Sequence, residues 1–230
     1  MKLFYGSIEP NVEIHPDEQQ HISRVLRMKE GEVISLTDGK GRRVEGRLFY
    51  EGKKVNLEVE SFFDLEPNPV HSLHVAIAPT KNIDRTEYFV EKATELGISE
   101  ISFILTEHSE RKNINIERME KLAIAASKQS LRLHFPKLNP LMKFNEFVNR
   151  LSFSNTFVAH CDPLLERRDI SELQINGERT FLIGPEGDFS TFEIKLLQEK
   201  GITAVSLGSQ RLRTETAAVF VSAWNYFQSI

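Results

Sequence analysis

The sequence predicts an α/β protein in two parts. A small β-rich region covers residues 1–68, and a larger region over 69–230 alternates strands and helices. Three observations carry this expectation. The early residues hold short runs of alternating apolar character broken by glycine turns, and the proline-bearing stretch Asp64–Pro69 ends that pattern. From Leu73 onward the apolar runs become continuous, as in buried parallel strands. Two late stretches each read as strand, glycine loop and helix.

In the amino-terminal part, His15–Leu26 is expected to form a short helix capped by Asp17, with Ile22, Val25 and Leu26 facing inward. Val33–Thr37 is a strand. The Asp38-Gly39-Lys40-Gly41 that follows is a hairpin signal, because glycine and aspartate accept positive φ. Arg43–Tyr50 and Lys54–Val59, split by Glu51-Gly52, supply further strands. Several short strands in so few residues predict a small barrel.

The second part opens with strand Leu73–Ala78. Helix Asp84–Leu96 follows, with Asp84 as cap and Glu87 completing a capping box. Gly97 stops it, and Phe89, Val90, Ala93 and Leu96 form its apolar stripe. Ile98–Leu105 is a strand, and Ile116–Leu131 is a helix with Leu122, Ala125, Ala126 and Gln129 along one side. Phe144–Leu151 is a short helix, Phe157–His160 a strand, and Asp162–Glu178 a polar loop. Strand Thr180–Ile183 then leads through Gly184-Pro185-Glu186-Gly187-Asp188-Phe189 into helix Thr191–Lys200, whose capping box is Ser190 and Glu193. Strand Ala204–Leu207 leads through a second glycine loop, carrying Arg211 and Arg213, into a helix that opens on Thr214 and Glu215.

With 230 residues, 40% of them hydrophobic, the chain can build one large core or two modest ones. No apolar run reaches the roughly 18–20 residues of a membrane helix. Met1–Pro10 lacks a basic region followed by a long apolar core, so no signal peptide is expected. The lone Cys161 excludes an internal disulfide and a zinc cluster. A cytoplasmic protein with no membrane and no metal is the expectation. The net charge of −4 excludes a polycation, yet cations cluster: Arg24, Arg27 and Lys29; Lys40, Arg42 and Arg43; Lys128, Arg132, His134 and Lys137. Each cluster is either a solvated face or part of a nucleic-acid surface.

Ligands of an open parallel sheet sit at the carboxyl ends of its strands, where both glycine loops lie. Gly184, Gly187 and Gly208 lack Cβ and let the backbone approach a ligand. Neither loop has the spacing of a phosphate loop or a dinucleotide fingerprint. That argues for a nucleoside-type cofactor without a polyphosphate. Glu186 either accepts turn amides or faces ligand and substrate. Arg213 either pairs with Glu215 or Glu186, or sets its guanidinium against an RNA phosphate or an anionic base. His160, at a strand end on the same sheet edge, reads as a satisfied histidine rather than a catalytic one. Cys161 reads as a small hydrophobe.

Leu207-Gly208…Leu212-Arg213-Thr214-Glu215-Thr216-Ala217 and Ile183-Gly184-Pro185-Glu186-Gly187-x-Phe189-Ser190 resemble the two signatures of the RsmE-type 16S ribosomal RNA uridine-N3 methyltransferases, of the SPOUT class. His21-Ile22…Val25-Leu26-Arg27, with Gly31 and Asp38-Gly39, is similar to that family's amino-terminal domain. Glu91-Lys92-Ala93-Thr94-Glu95-Leu96-Gly97 and Ala125-Ala126…Gln129-Ser130…Arg132 are similar to two of its helices. Three places depart from the pattern: Asp188 stands for a glycine, Gln210-Arg211 for Arg-Ile, and Lys128 for a glutamate.

The resemblance implies a PUA-like RNA-binding β-barrel over 1–68 and a SPOUT methyltransferase domain with a deep trefoil knot over 69–230. It implies S-adenosylmethionine as cofactor, 16S rRNA of the small subunit as substrate, and a homodimer. It implies cofactor contacts at Leu182, Ile183, Gly184, Glu186, Gly187, Leu207, Gly208, Leu212, Thr214 and Ala217. Arg213 and Glu186 take the catalytic roles, and Arg24, Arg27, Arg42, Arg43 and Arg132 take RNA. Three alternatives stay open. One is a SPOUT methyltransferase acting on another rRNA or tRNA base. Another is a non-catalytic RNA-binding factor of ribosome assembly. The last is a small-molecule nucleotide enzyme, against which the additional β domain argues.

Overall fold

The structure, a computed structural model, describes residues 2–69, 71–162, 166–174 and 176–229. It divides into two compact units. One holds the residues up to Asn68 together with Ile124–Phe135, and the other holds Pro69–Ala123 together with the residues from Pro136 onward.

The first unit is built on five strands: β1 Leu3–Ser7, β2 Glu13–Ile14, β3 Val33–Thr37, β4 Arg43–Glu51 and β5 Lys54–Phe62. They form one sheet in the order β2-β1-β3-β4-β5, with β1 and β3 parallel and the other neighbours antiparallel. The sheet curls until its two edge strands lie side by side. Gln19 bridges that seam: its Nε2 donates to the Ile14 carbonyl at 2.9 Å, and its Oε1 accepts the Val55 amide at 3.2 Å. Phe4, Ile14, Ile34, Leu36, Val44, Leu48 and Val55 fill the interior. The expected barrel therefore forms, nearly closed.

The segment expected as one capped helix departs from that expectation. It is α1 Pro16–Gln20 followed by a π-helical turn, His21–Val25. The cap is His15, whose Nδ1 accepts the Asp17 amide at 3.3 Å, and not Asp17. In the π turn the Leu26 amide donates to the carbonyl five residues back, on His21, at 2.9 Å. A wider turn breaks the α-helical stripe. Ile22 is buried as expected, but Val25 and Leu26 face outward, 66% and 40% exposed.

Ile124–Phe135 completes this unit. The Phe135 amide donates to the Gly39 carbonyl at 2.8 Å and the Gly41 amide to that of Leu133 at 2.9 Å. The Phe135 ring centroid lies 5.3 Å from that of Tyr5.

The second unit carries β6 Leu73–Ile77, α2 Ile83–Glu95, β7 Glu100–Leu105, the start of α3 Ile116–Gln129, β8 Lys137–Lys143, α4 Phe144–Val148 and β9 Thr156–Ala159. After these come β10 Arg168–Asp169, β11 Arg179–Ile183, α5 Thr191–Glu199, β12 Thr203–Ser206 and α6 Thr214–Phe227. The seven strands run in the order β10-β12-β9-β11-β6-β7-β8, every neighbouring pair parallel. Side chains alternate across the sheet. Val75, Ile101, Phe103, Phe181 and Ile183 join one core with Phe89 and Val90 of α2 and Ala218 and Val221 of α6. Ala76, Ile104, Val158 and Leu182 join another with Phe144 and Phe147 of α4 and Ile194 and Leu197 of α5. Helices thus cover both faces, as a parallel sheet requires.

Most elements stand where the sequence puts them, with local corrections. The cap of α2 is Asn82, whose side chain accepts the Asp84 amide at 3.1 Å. Asp84 is already helical, and Glu87 instead accepts from Arg118 at 2.9 Å. Gly97, at φ 81°, stops the helix as expected. The buried side of α3 is Met119, Ala123, Ala126 and Ser127, while Ala125 and Gln129 are exposed. Alanine suits either face of a helix, so a stripe read largely from alanines lands a step away. The capping box of α5 forms between Ser190 and Glu193 as expected. β8 was not expected. Its Pro140 breaks the strand pattern, but β8 is an edge strand, where a proline is tolerated. β10 lies inside the expected loop Asp162–Glu178, of which Pro163–Leu165 and Ile175 are outside the described residues. Among the described residues no helix is long and apolar enough to cross a membrane.

Candidate functional site

The carboxyl ends of β9, β11 and β12 surround a cavity of about 310 Å³, within the range of small-molecule sites. Its wall is made by Ala159 and Ile183, the last residues of their strands, by Val205 near the end of β12, and by both glycine loops. Thr214 ties the loops together, donating through Oγ1 to the Gly184 carbonyl at 3.0 Å. Arg211 adds a longer contact, Nη2 to the Glu186 carbonyl at 3.4 Å.

The glycines differ in what they accommodate. Gly208 has φ 123°, which side chains rarely adopt, and a Cβ built there meets no protein atom within 4 Å. It lines the cavity and leaves a cradle that any side chain would fill. At Gly184 a Cβ would sit 3.1 Å from the Phe189 ring, and at Gly187 3.1 Å from the His108 Cβ. At those two positions the missing side chain makes room for protein.

Of the residues expected at a cofactor, Ile183, Gly184, Glu186, Leu207, Gly208, Leu212, Thr214 and Ala217 line the cavity. Leu182 and Gly187 do not. Leu182 points to the opposite face of the sheet, into the core that α5 covers. The Gly187 carbonyl accepts from His108 Nδ1 at 3.0 Å.

Arg213 lines the cavity, is exposed, and begins α6 as its N-cap. It has no partner among the described residues. Glu215 faces Arg85 instead, at 3.8 Å, and Glu186 accepts the Lys81 amide through Oε1 at 3.1 Å. The Arg213 guanidinium therefore faces the cavity free of the protein groups described.

Four wall residues escaped the sequence as a group: His160, Cys161, Arg167 and Asp188. Asp188 stands at φ 62°, a left-handed conformation that aspartate tolerates better than most residues. Its Oδ2 accepts the Cys161 amide at 2.7 Å and its Oδ1 accepts the Phe189 amide at 2.8 Å. One side chain thereby pins the loop after β11 to the end of β9. His160 Nδ1 accepts the Asp162 amide at 3.2 Å, so a neutral ring carries its proton on Nε2. That Nε2 is buried with no partner among the described residues. The expected satisfied histidine is thus only half satisfied. Burial holds the imidazole below its ordinary range, with Asp188 pulling the other way and Arg167 reinforcing it. Arg167 Nη1 donates to the His160 carbonyl at 2.8 Å. Cys161 is exposed, a correction to its reading as a small hydrophobe. Asp188 could have been suspected from its place beside the glycine loop. Arg167 lies in an irregular loop that offers no periodicity.

The five arginines expected on RNA all belong to the first unit, in different surroundings. Arg24 and Arg27 are exposed and have no partner among the described residues. Arg42 pairs with Glu9 at 2.9 Å and Asp38 at 3.3 Å. Arg43 stacks over the Phe63 ring at 3.8 Å, and Arg132 is half-buried. The cluster of Lys128, Arg132, His134 and Lys137 is no open cationic face. Lys128 pairs with Glu18, His134 Nε2 donates to the Glu66 carbonyl at 3.0 Å, and Lys137 pairs with Glu100 at 3.1 Å.

Comparison with known proteins agrees with this geometry. Residues 66–225 match a family model described as an RNA methyltransferase domain, and residues 15–60 match one described as an RNA methyltransferase PUA domain. Ribosomal RNA small subunit methyltransferase E of Rickettsia conorii is 31% identical over 215 residues, which is 90% of this chain and 86% of the relative. A crystal structure of a probable rRNA-methyltransferase from Porphyromonas gingivalis superposes with a TM-score of 0.90 at 35% identity, covering 100% of this chain and 98% of its own. A putative methyltransferase from Legionella pneumophila, solved in complex with the bound cofactor SAM, superposes with a TM-score of 0.87 at 27% identity, covering 99% and 98%. A nearly closed barrel, a parallel sheet with two glycine loops at its carboxyl end, and these matches along the chain identify it as a member of the RNA methyltransferase family, in the group of ribosomal RNA small subunit methyltransferase E.

Proposed function

We propose that the chain methylates N3 of a uridine in 16S rRNA of the small ribosomal subunit, using S-adenosylmethionine. The observation that carries this reading is Arg213, without a partner among the described residues and set in the wall of a cavity whose other wall offers loop backbone and the cradle at Gly208. The cavity size and the absence of phosphate-loop spacing suit a nucleoside cofactor.

When bound, S-adenosylmethionine supplies a methyl group already activated on a sulfonium. The backbone of Ile183–Glu186 and Leu207–Leu212 holds the cofactor, and the protein's main task is alignment. Uracil N3 carries a proton at neutral pH and must give it up to solvent water to become a nucleophile. The Arg213 guanidinium favours the resulting anion and orients the ring. One oxygen of Glu186 is committed to the Lys81 amide, which fixes the carboxylate and leaves the other oxygen for the substrate. Arg24, Arg27, Arg42, Arg43 and Arg132 hold RNA phosphate, which makes binding salt-dependent.

The same reading includes the deep trefoil knot, a cytoplasmic location and a homodimer. An exposed stripe along α6, with Thr216, Phe220, Ala223 and Phe227 at helical spacing, supports the last of these: Phe220 and Phe227 are 40% and 70% exposed. Mass spectrometry of 16S rRNA from a strain lacking the gene tests the activity. N3-methyluridine disappears and returns with the wild-type gene, but not with Arg213→Ala. Persistence of the modified base in the deletion strain would overturn the proposal.

A further inference from the structure

Ile22 and Met28 anchor a short stretch of the first unit: they are 0% and 5% exposed. Between them the chain leaves α-helical geometry. The Leu26 amide reaches His21 and the Met28 amide reaches the Ile22 carbonyl at 3.0 Å, while Tyr50 Oη donates to the Met28 carbonyl at 2.5 Å. Both ends are thus held, and residues 23–27 stand out as a tip. Its geometry is unusual twice over. A π turn is rare and frequent at functional sites, and Arg27 stands at φ 50°, where a non-glycine side chain is uncommon.

The tip presents a defined pattern. Val25 and Leu26 are adjacent, apolar and exposed, and Arg24 and Arg27 flank them without partners among the described residues. Across residues 21–30 the cations Arg24, Arg27 and Lys29 face one carboxylate, Glu30. Scattered surface apolar residues are ordinary. Two side by side, held out by an anchored irregular turn and bracketed by free guanidinium groups, are not scattered. Guanidinium groups three residues apart suit successive phosphates, and the apolar pair between them suits the face of a base, which a paired stem keeps stacked.

We infer that residues 24–27 form an RNA contact that selects unpaired nucleotides, with Arg24 and Arg27 on phosphates and Val25 and Leu26 against an exposed base. This rests on the reading of RNA as substrate and deepens it: the barrel unit would choose a loop or bulge rather than a continuous helix. Because both ends of the tip are anchored, little ordering remains to oppose binding.

Fluorescence anisotropy tests this with a labelled hairpin carrying an unpaired loop and the same strand fully paired to its complement. The wild-type chain prefers the hairpin. V25S/L26S binds the hairpin about tenfold more weakly, loses the preference, and keeps the slope of affinity against salt. R24A/R27A keeps the preference and loses roughly 1.4 from that slope, about 0.7 for each single-strand phosphate contact. Both variants change exposed side chains and keep the wild-type melting temperature. A preference that survives in V25S/L26S overturns the inference. So does a double variant that only shifts a dimer toward monomer in sedimentation, since the pair then seats a second copy of the chain. A wild-type chain that binds neither RNA at low salt overturns the substrate reading as well, which separates the two failures.

Discussion

The parallel sheet carries a cavity at each end, and the larger one is not the candidate site. At the amino ends of β6, β7, β8 and β11 a space of about 620 Å³ is lined by His74, Glu100, Ser102, Lys137, Asn139 and Thr180 among others. All of these but Thr180 bond to one another. His74 Nε2 meets Ser102 Oγ at 2.8 Å, and Asn139 Nδ2 donates to Glu100 at 2.5 Å and Ser102 at 2.9 Å. Lys137 donates to the same Glu100 oxygen at 3.1 Å. At the carboxyl end the cavity is half that size, yet Arg213 and the His160 Nε2 have no protein partner among the described residues. An unmade hydrogen bond in a buried group is more expensive than a made one is favourable, so a fold keeps a group such as the His160 Nε2 where something else completes it. Volume alone would point to the other end of the sheet.

The sharpest way to break this contrast is Arg213→Ala. Methylation should fall by about 100-fold or more, while S-adenosylmethionine binding by calorimetry stays within about twofold. Retained activity would remove Arg213 from the mechanism. Gly208→Val comes next. Its side chain fills the cradle and its backbone resists φ 123°, so cofactor affinity should drop by more than about tenfold. Unchanged calorimetric binding would put the cofactor elsewhere.

Asp188 gives a smaller, graded test. Asp188→Gly removes the tie to the Cys161 amide and should weaken cofactor binding by roughly three- to tenfold. Asp188→Asn keeps an acceptor and should restore most of that. Equal affinities for all three proteins would show the tie to be idle.

The amino-end network should appear in stability rather than activity. Burial holds the His74 imidazole below its ordinary range, Lys137 reinforcing and Glu100 opposing. The unfolded chain therefore takes up the proton first as pH falls through about 6.5. Stability is undiminished above that pH and falls below it. His160, depressed by burial too, adds to the same slope. His74→Gln should flatten the acid side of a melting-temperature profile and leave methylation unchanged. An unaltered profile would mean that His74 titrates as it does in the unfolded chain.

The sequence made the glycine loops legible because each glycine turn is bracketed by an apolar strand and an amphipathic helix, and because the Ser190–Glu193 box is purely local. The π turn was hidden, since Ile22, Val25 and Leu26 have the spacing of an ordinary helix and only the backbone decides otherwise. β8 was hidden by Pro140, whose tolerance depends on the strand lying at an edge. The pins that shape the cavity, Asp188 to Cys161 and Arg167 to His160, join residues 27 and 7 positions apart across loops. No periodicity announces such contacts. They exist only once the sheet has ordered its strands.

The segment Ile124–Phe135 has a consequence for how the chain is made. It supplies the amide that Gly39 accepts and the ring that packs on Tyr5, so the barrel unit is discontinuous in sequence. During synthesis the first 68 residues leave the ribosome as an incomplete barrel. They wait for residue 135 before that surface is covered. A fragment cut at the linker should behave as a sticky, partly folded chain, and the barrel unit cannot be inherited or transplanted without the helix end that lies some sixty residues downstream of it.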